Sequence, residues 1–369
     1  MLQPQKTKIC LVGDALSGGG AERVHAFLSK YFTDKGIEVH NVIVQNRVGY
    51  QFSGQLLNLG LLKDEANGIK NKLKRFFVLR KYIKEHQFDY VIDFRMRNKY
   101  IQDWFISRFI YTVPTAYTVH SSVLEWYMPK EPWFVRAIYA NAYGVVSITH
   151  KIKARIEDNY KLKNVVNIYN PVDIDYISRR SEEYVLATDY KYILAVGSMH
   201  SHNVKQFDKF IEAFATSILP SNNVKLLILG EGSLKDNLKK LSLKMGVEDK
   251  VIFEGFQENP YVYMRNALFY GLTSRNEGLP MVLLESLACG TPVVAFDCFT
   301  GPSEIIENNI NGLLIEDQNV KRFAEGLNKM FGDQELYNRC KQNAVASIDK
   351  FLIGEIGKQW FQFLKIQNK

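Results

Sequence analysis

Short runs of aliphatic and β-branched residues alternate with amphipathic stretches of helical length through nearly all of this 369-residue chain, and they do so in two series. The first series holds Lys8-Ile9-Cys10-Leu11-Val12-Gly13, residues 38–44, Tyr90-Val91-Ile92, residues 115–119 and Val145-Val146-Ser147-Ile148. Asn170-Pro171 interrupts it, because the residue before a proline is pushed out of helical geometry. The second series starts at residues 192–197 and runs through 224–230, 251–253, 268–272 and 292–296. Strands that alternate with helices predict parallel sheets covered on both faces. Two series predict two doubly wound α/β domains, with the break between about residues 170 and 190. The length agrees, at about 150 residues per domain. A helix is predicted over residues 21–35, stopped by Gly36, and another, rich in aromatics, over 349–369.

The charge is unevenly placed. Residues 1–170 carry 25 Lys and Arg against 14 Asp and Glu, whereas residues 171–369 carry 22 against 25. The basic half calls for an anionic partner: a membrane surface, a phosphate-bearing substrate or nucleic acid. Nucleic acid is disfavoured because no recognisable binding module accompanies the charge. Residues 69–86 concentrate it, with Lys70, Lys72, Lys74, Arg75, Arg80, Lys81 and Lys84. Ile69, Leu73, Phe76, Phe77, Leu79 and Ile83 fall roughly on one face of the same helix. That pattern reads as a helix packed on its own sheet with a solvated cationic face, or as one that also docks on anionic lipid headgroups. The four cysteines form no Cys-x-x-Cys pair, so neither a zinc knuckle nor a disulfide framework is indicated. There is no apolar run of signal-peptide or membrane-spanning length. The expected location is the cytoplasm, with peripheral attachment to the inner face of the plasma membrane as an extension.

Ligands in open parallel sheets bind beyond the carboxyl ends of the strands, and several polar residues sit at such ends. Gly18-Gly19-Gly20-Ala21-Glu22-Arg23 joins a strand to a helix, where backbone N–H groups and the helix dipole favour an anion. It lacks the Gly-x-Gly-x-x-Gly spacing of a dinucleotide site, so NAD is disfavoured. Gly230-Glu231-Gly232 is a second, weaker turn of this kind. Lys205 follows Gly197 by eight residues, at the start of the next helix, where it can neutralise a diphosphate. Glu277 and Glu285 stand eight apart around Gly278-Leu279-Pro280 and an apolar helix. Glu285 lies among core-facing residues and needs partners such as ligand hydroxyls. His120 ends a strand. His200 and His202 share the loop after Gly197 but have no carboxylate or cysteine beside them to complete a metal site. Arg95 and Arg97, after the strand that ends at Asp93, are candidates for an acceptor phosphate. Asp173-Ile174-Asp175 has a metal-type spacing but lies just past the break, where it reads as accidental.

Taken together, these residues resemble the retaining glycosyltransferases of the GT-B fold, in particular the family 4 group of bacterial sugar transferases. The resemblance covers nearly the whole chain and rests on the glycine turn through Val24, His120, Asn170-Pro171-Val172-Asp173, Gly197 with Lys205, Gly230-Glu231-Gly232, the glutamate pair, Gly301-x-x-Glu304 and Asn311-Gly312-Leu313. It implies two Rossmann-like domains facing a central cleft. Residues 1–170, with a returning helix at 351–369, would take the acceptor, and residues 171–350 the nucleotide sugar. Glu285 would bind the ribose and Lys205 the diphosphate. Glu277, with the backbone of Gly278, Leu279 and Pro280, would hold the sugar. Gly19, Gly20 and His120 would meet the reacting centre. It also implies no metal and no cofactor, with configuration retained. One departure stands out. The family has Gly-Arg where this chain has Gly197-Ser198, and Arg275, His200 or His202 would have to supply the missing charge. The favoured function is transfer of a hexose or N-acetylhexosamine from a UDP-sugar to a surface polysaccharide or lipid-linked glycan. The alternatives are a non-catalytic sugar-nucleotide-binding subunit and an epimerase or phosphorylase of the same architecture.

Overall fold

The computed structural model describes residues 6–64 and 68–367. The chain forms two compact units, one of Met1–Pro171 with Ile353–Lys369 and the other of Val172–Leu352. In the first unit the strands are β1 (Lys8–Gly13), β2 (Glu38–Ile43), β3 (Gln55–Asn58), β4 (Tyr90–Asp93), β5 (Thr115–Val119), β6 (Gly144–Ser147) and β7 (Val165–Asn167). They pair in parallel in the order β3-β2-β1-β4-β5-β6-β7. From Ile9 onward β1 is buried throughout, as expected for a strand covered on both faces. The helices that cover the sheet are α1 (Gly20–Asp34), α2 (Ile69–His86), α3 (Tyr100–Phe105), α4 (Pro132–Tyr139) and α5 (His150–Tyr160). A π-helical turn, Ile106–Ile110, continues α3.

Local chemistry sets the helix ends. Gly36, at φ 81°, follows the end of α1 in the left-handed conformation that glycine adopts without strain. The Thr149 hydroxyl accepts from the Ile152 N–H and caps α5. The apolar residues of α2 divide between two faces where the sequence reading expects one. Leu79 and Ile83 are buried, whereas Ile69, Leu73 and Phe77 point outward.

The second unit contains β8 (Lys191–Val196), β9 (Val224–Leu229), β10 (Val251–Gly255), β11 (Tyr270–Leu272), β12 (Val293–Phe296) and β13 (Gly312–Ile315), parallel in the order β10-β9-β8-β11-β12-β13. Its helices are α6 (Ile174–Ser181), α7 (Phe207–Ala215), α8 (Lys235–Lys244), α9 (Tyr261–Asn266), α10 (Met281–Ala288), α11 (Pro302–Ile305), α12 (Val320–Gly332) and α13 (Gln334–Asn343). Asp173 accepts from the Tyr176 N–H at 3.0 Å, so the Asp-x-Asp pattern opens with the N-cap of α6. The chain ends in α14 (Ile353–Phe363), which belongs to the first unit. There Phe361 packs against Tyr31 and Phe32 of α1, with ring centroids 5.8 Å apart in each case. Gly357 leaves room for the Tyr31 ring, and the Tyr143 hydroxyl donates to the Phe363 carbonyl at 2.8 Å. Each unit has its own apolar core.

Both sheets have a switch point. From β1 the chain builds outward through β2 and β3, then returns to place β4 on the other side of β1. From β8 it builds through β9 and β10, then places β11 on the other side of β8. The crevices beyond the ends of β1 and β4, and of β8 and β11, are where a fold of this type binds ligands.

Candidate active site

In the second unit, three loops meet at the switch point. The loop that leaves β8 folds back so that the aliphatic stem of Lys205 lies on Gly197, where an added Cβ would come within 2.9 Å of it. This brings the Lys205 Nζ to 2.7 Å from the Glu277 Oε1, in the loop after β11. Thr273 ties the two loops together by donating to the carbonyls of Lys205 and Gln206, both at 3.0 Å. Arg275 adds two more ties. Its N–H donates to the Val204 carbonyl at 2.9 Å, and its guanidinium to the His202 carbonyl at 3.1 Å. Arg275, Ser198, His200 and His202 are all exposed on this rim.

Gly230 and Gly232 form the third loop. Any Cβ at Gly230 would run into the Gly197 carbonyl, and any at Gly232 into the Met199 backbone. Their φ values of 132° and 158° also disfavour other residues. The Met199 N–H donates to the Glu231 carbonyl at 2.9 Å. Gly230 therefore lies directly behind Gly197, and the pair of glycines packs the two loops together.

The turn Gly278-Leu279-Pro280 leads into α10, and Gly301, at φ 100°, packs against it so closely that a Cβ would strike the Pro280 ring. Glu285 is 5% exposed, among the fully buried Leu283, Leu284 and Leu287. Burial, with the Glu285 charge second, pushes the Cys289 thiol up to about 12. Two residues the sequence did not single out are Gln206 and Ser274. Gln206 Oε1 and Ser274 Oγ are buried and have no hydrogen-bond partner. Each such atom costs about 1–3 kcal/mol, and each adjoins a residue of the Lys205–Thr273 tie. No sequence pattern flags them, because burial of one atom depends on all three loops.

In the first unit, the glycine turn after β1 presents its donors to Glu22. The Glu22 carboxylate lies against Gly19 and accepts from the N–H groups of Glu22 and Gly19, while burial outweighs these bonds and pushes its pKa up. Gly20 faces open space. His120 follows β5, beside Phe94, with ring centroids 5.9 Å apart. Neither ring nitrogen has a hydrogen bond of normal geometry, although Asn170 stands alongside with its own Oδ1 buried and unpaired. Burial, then the Arg97 charge, lowers the His120 pKa to about 3, so the ring is neutral near pH 7.

Arg97 is not placed to meet an acceptor phosphate, and Arg95 is already paired. Arg97 is 1% exposed and donates to the carbonyls of Asp93, Arg95 and Thr118 and to the Tyr139 hydroxyl. Tyr117, Tyr127 and Tyr139 surround its guanidinium. Arg95 is held by two hydrogen bonds to Asp93, at 3.0 and 2.7 Å. Asp93 is fully buried. Burial alone would raise its pKa, but Arg95 and Arg97 more than offset this and hold the carboxyl below the usual range. The two arginines neutralise a buried carboxylate, a need that the sequence spacing does not show.

Comparison with known proteins agrees with this architecture. Residues 177–346 match the family of glycosyl transferases group 1, and residues 18–176 match glycosyltransferase family 4. Over 364 residues the chain is 30% identical to the N-acetylgalactosamine-N,N'-diacetylbacillosaminyl-diphospho-undecaprenol 4-alpha-N-acetylgalactosaminyltransferase of Campylobacter jejuni subsp. jejuni serotype O:2, covering 95% of this chain and 97% of that one. A solved glycosyltransferase from Rickettsia africae superposes with a TM-score of 0.80 at 18% identity, covering 98% of each chain. An Anabaena protein solved with UDP-glucose gives 0.75 at 20% identity, covering 98% of this chain and all of that one. The two parallel-sheet units are those of the GT-B fold. This chain belongs to the group 1, family 4 glycosyltransferases.

Proposed function

We propose that the chain transfers a hexose or N-acetylhexosamine from a UDP-sugar to a lipid-linked glycan or surface-polysaccharide acceptor, without a metal and with retention of configuration. The observation that carries the donor side is the Lys205–Glu277 pair at the switch point of the second sheet. A diphosphate is a better partner for Lys205 than one carboxylate. It takes over the lysine and releases Glu277 for hydroxyls of the sugar. Arg275, tethered to the same loop, supplies the second cation that Ser198 lacks. Gln206 and Ser274 provide further polar contacts at the loop tie. Glu285, buried on α10, takes the ribose hydroxyls. Gly278, Leu279 and Pro280 offer backbone to the sugar. Charge on the leaving diphosphate is thus stabilised by side chains and backbone dipoles already in place.

The first unit takes the acceptor. His120, held neutral, can donate one hydrogen bond and accept another, which suits a hydroxyl of the acceptor. The acceptor class is supported by the Campylobacter relative, whose name gives a diphospho-undecaprenol-linked acceptor. Among the described residues no helix is long and apolar enough to cross a membrane. Docking of the basic first unit on an anionic bilayer would bring it to such an acceptor.

The test is a transfer assay with a panel of UDP-sugars and lipid-linked acceptors, with the anomeric configuration of the product read by NMR. Retention, activity that survives EDTA, and a rise of at least tenfold in donor KM for Glu285→Ala support the reading. Inversion, a metal requirement or unchanged kinetics in Glu285→Ala would each remove the corresponding part of it.

A further inference from the structure

Among the described residues, eight that are not glycine have a positive φ. Gln87 and Lys161 close helices, where a left-handed residue is usual. Asn203, Asn223 and Asn309 are asparagines, whose short polar side chain tolerates that region. Gln206 fits neither pattern. It opens α7 as its N-cap, at φ 48° and ψ 49°, and its side chain makes no capping bond. It alone of the eight is buried. The residue is 7% exposed, and its Oε1 is shut off from solvent without a hydrogen-bond partner.

A left-handed backbone at a residue with a Cβ and an unpaired buried amide oxygen each destabilise the folded chain. The neighbourhood does not offset them. Ser274 Oγ, the other buried oxygen at this loop tie, lacks a partner as well, so the two do not satisfy each other. The Gln206 carbonyl is already engaged, accepting from the Thr273 hydroxyl at 3.0 Å and from the Phe210 N–H at 3.3 Å. These bonds pin Gln206 between the loop after β8, which carries Lys205, and the loop after β11, which carries Glu277. Two costs on one residue at this position point to a partner from outside the chain.

Chemistry narrows that partner. An amide oxygen needs a hydrogen-bond donor. The diphosphate of a nucleotide sugar presents only acceptor oxygens near neutral pH, and on the proposed reading Glu285 takes the ribose. The hydroxyls of the transferred sugar, or its acetamido N–H, remain. We propose that Gln206 is a specificity residue for the donor sugar, its side-chain amide bonding a hydroxyl or acetamido group of the sugar being transferred. This rests on the reading that the second unit holds a UDP-sugar. A site built to bond one such group rejects sugars that place it elsewhere, because the buried amide is then left unpaired.

The experiment titrates the full-length protein calorimetrically with UDP, UDP-glucose, UDP-galactose, UDP-N-acetylglucosamine and UDP-N-acetylgalactosamine, with no acceptor present. Gln206→Gly removes the amide and relieves the backbone. Gln206→Met removes the amide and keeps the bulk of the side chain. Both should bind the UDP-sugar that the wild type prefers at least fivefold more weakly, bind UDP within twofold of the wild type, and discriminate less among the four sugars. The urea midpoint of Gln206→Gly should match or exceed that of the wild type. Unchanged UDP-sugar affinity in both variants overturns the proposal and leaves the amide to a structural water. An equal loss of UDP and UDP-sugar affinity in both also overturns it, since the amide then serves the nucleotide or the loop alone. A wild-type protein that binds none of the five ligands removes the UDP-sugar reading and this proposal with it, whereas wild-type binding that both variants share removes this proposal alone.

Discussion

Glu277 and Lys205 neutralise each other across 2.7 Å, and both are only partly exposed. On the proposed reading a donor diphosphate competes with Glu277 for the lysine, which sets the sign of a mutational effect. Glu277→Gln removes the competitor, so UDP should bind as tightly as before or up to about tenfold more tightly, while kcat falls by about 10²-fold or more because the sugar loses its carboxylate. Weaker UDP binding with kcat intact, measured by titration and steady-state kinetics, would reverse the roles. Arg97 makes the contrasting case. It is locked by four hydrogen bonds around a buried Asp93. Arg97→Leu strands part of that charge and should cost about 3–5 kcal/mol in denaturant unfolding. Both arginines stand at a strand end, where sequence reasoning looks for ligand contacts. Their structural role depends on Asp93, Tyr111, Tyr117 and Tyr139, whose convergence no linear motif records.

At the scale of elements, α2 shows what periodicity can and cannot say. Its limits, Ile69–His86, are those of the charged amphipathic stretch, closed by Gln87 in the left-handed conformation at φ 52°. Its partition was not legible. Apolar residues spread over more than one face do not declare which side is buried, and here Leu79 and Ile83 are while Ile69, Leu73 and Phe77 are not. Replacing these three by serine should reduce sedimentation with anionic liposomes at least fivefold. Little stability should be lost, since exposed positions rarely contribute more than about 0.5 kcal/mol each. Unchanged sedimentation would mean that lipid does not contact this face. Short strands were similarly hidden. β3 is half exposed and only four residues long, so its apolar signal is too brief to separate from a loop. β13 begins at the Asn311-Gly312-Leu313 motif, and Asn311 is buried there to bond the Glu307 N–H and the Ile305 carbonyl.

At the scale of the molecule, the two units carry separate cores, and the titration of buried histidines falls on one of them. Burial holds His25 at about 4 and His120 at about 3, against an ordinary value near 6.5. As pH drops below 6.5, the unfolded chain takes up protons that the folded chain refuses. Stability of the first unit therefore falls with acidification from about pH 6.5 towards 4, by up to about 1.4 kcal/mol per pH unit for each histidine. Asp14, Glu22 and Asp103, whose pKa values burial raises, act in the opposite direction as they protonate, so the histidines dominate the upper part of this window. His120→Asn should remove one histidine's share of the slope in urea titrations at pH 6.5 and 5. An unchanged slope would show that the ring is not held neutral.

The sequence alone determined the two α/β series, the break near Asn170-Pro171 and the family, because each is written in local period or in spacing along the chain. Tertiary structure decided the rest. It brought Lys205 to Glu277, pressed Gly230 against Gly197, withdrew Arg95 and Arg97 into the core around Asp93, and buried the Gln206 amide oxygen without a partner. The physical reason is the same in each case. Burial and charge are properties of neighbours in space, and crossover connections in parallel sheets place those neighbours tens of residues apart in the chain.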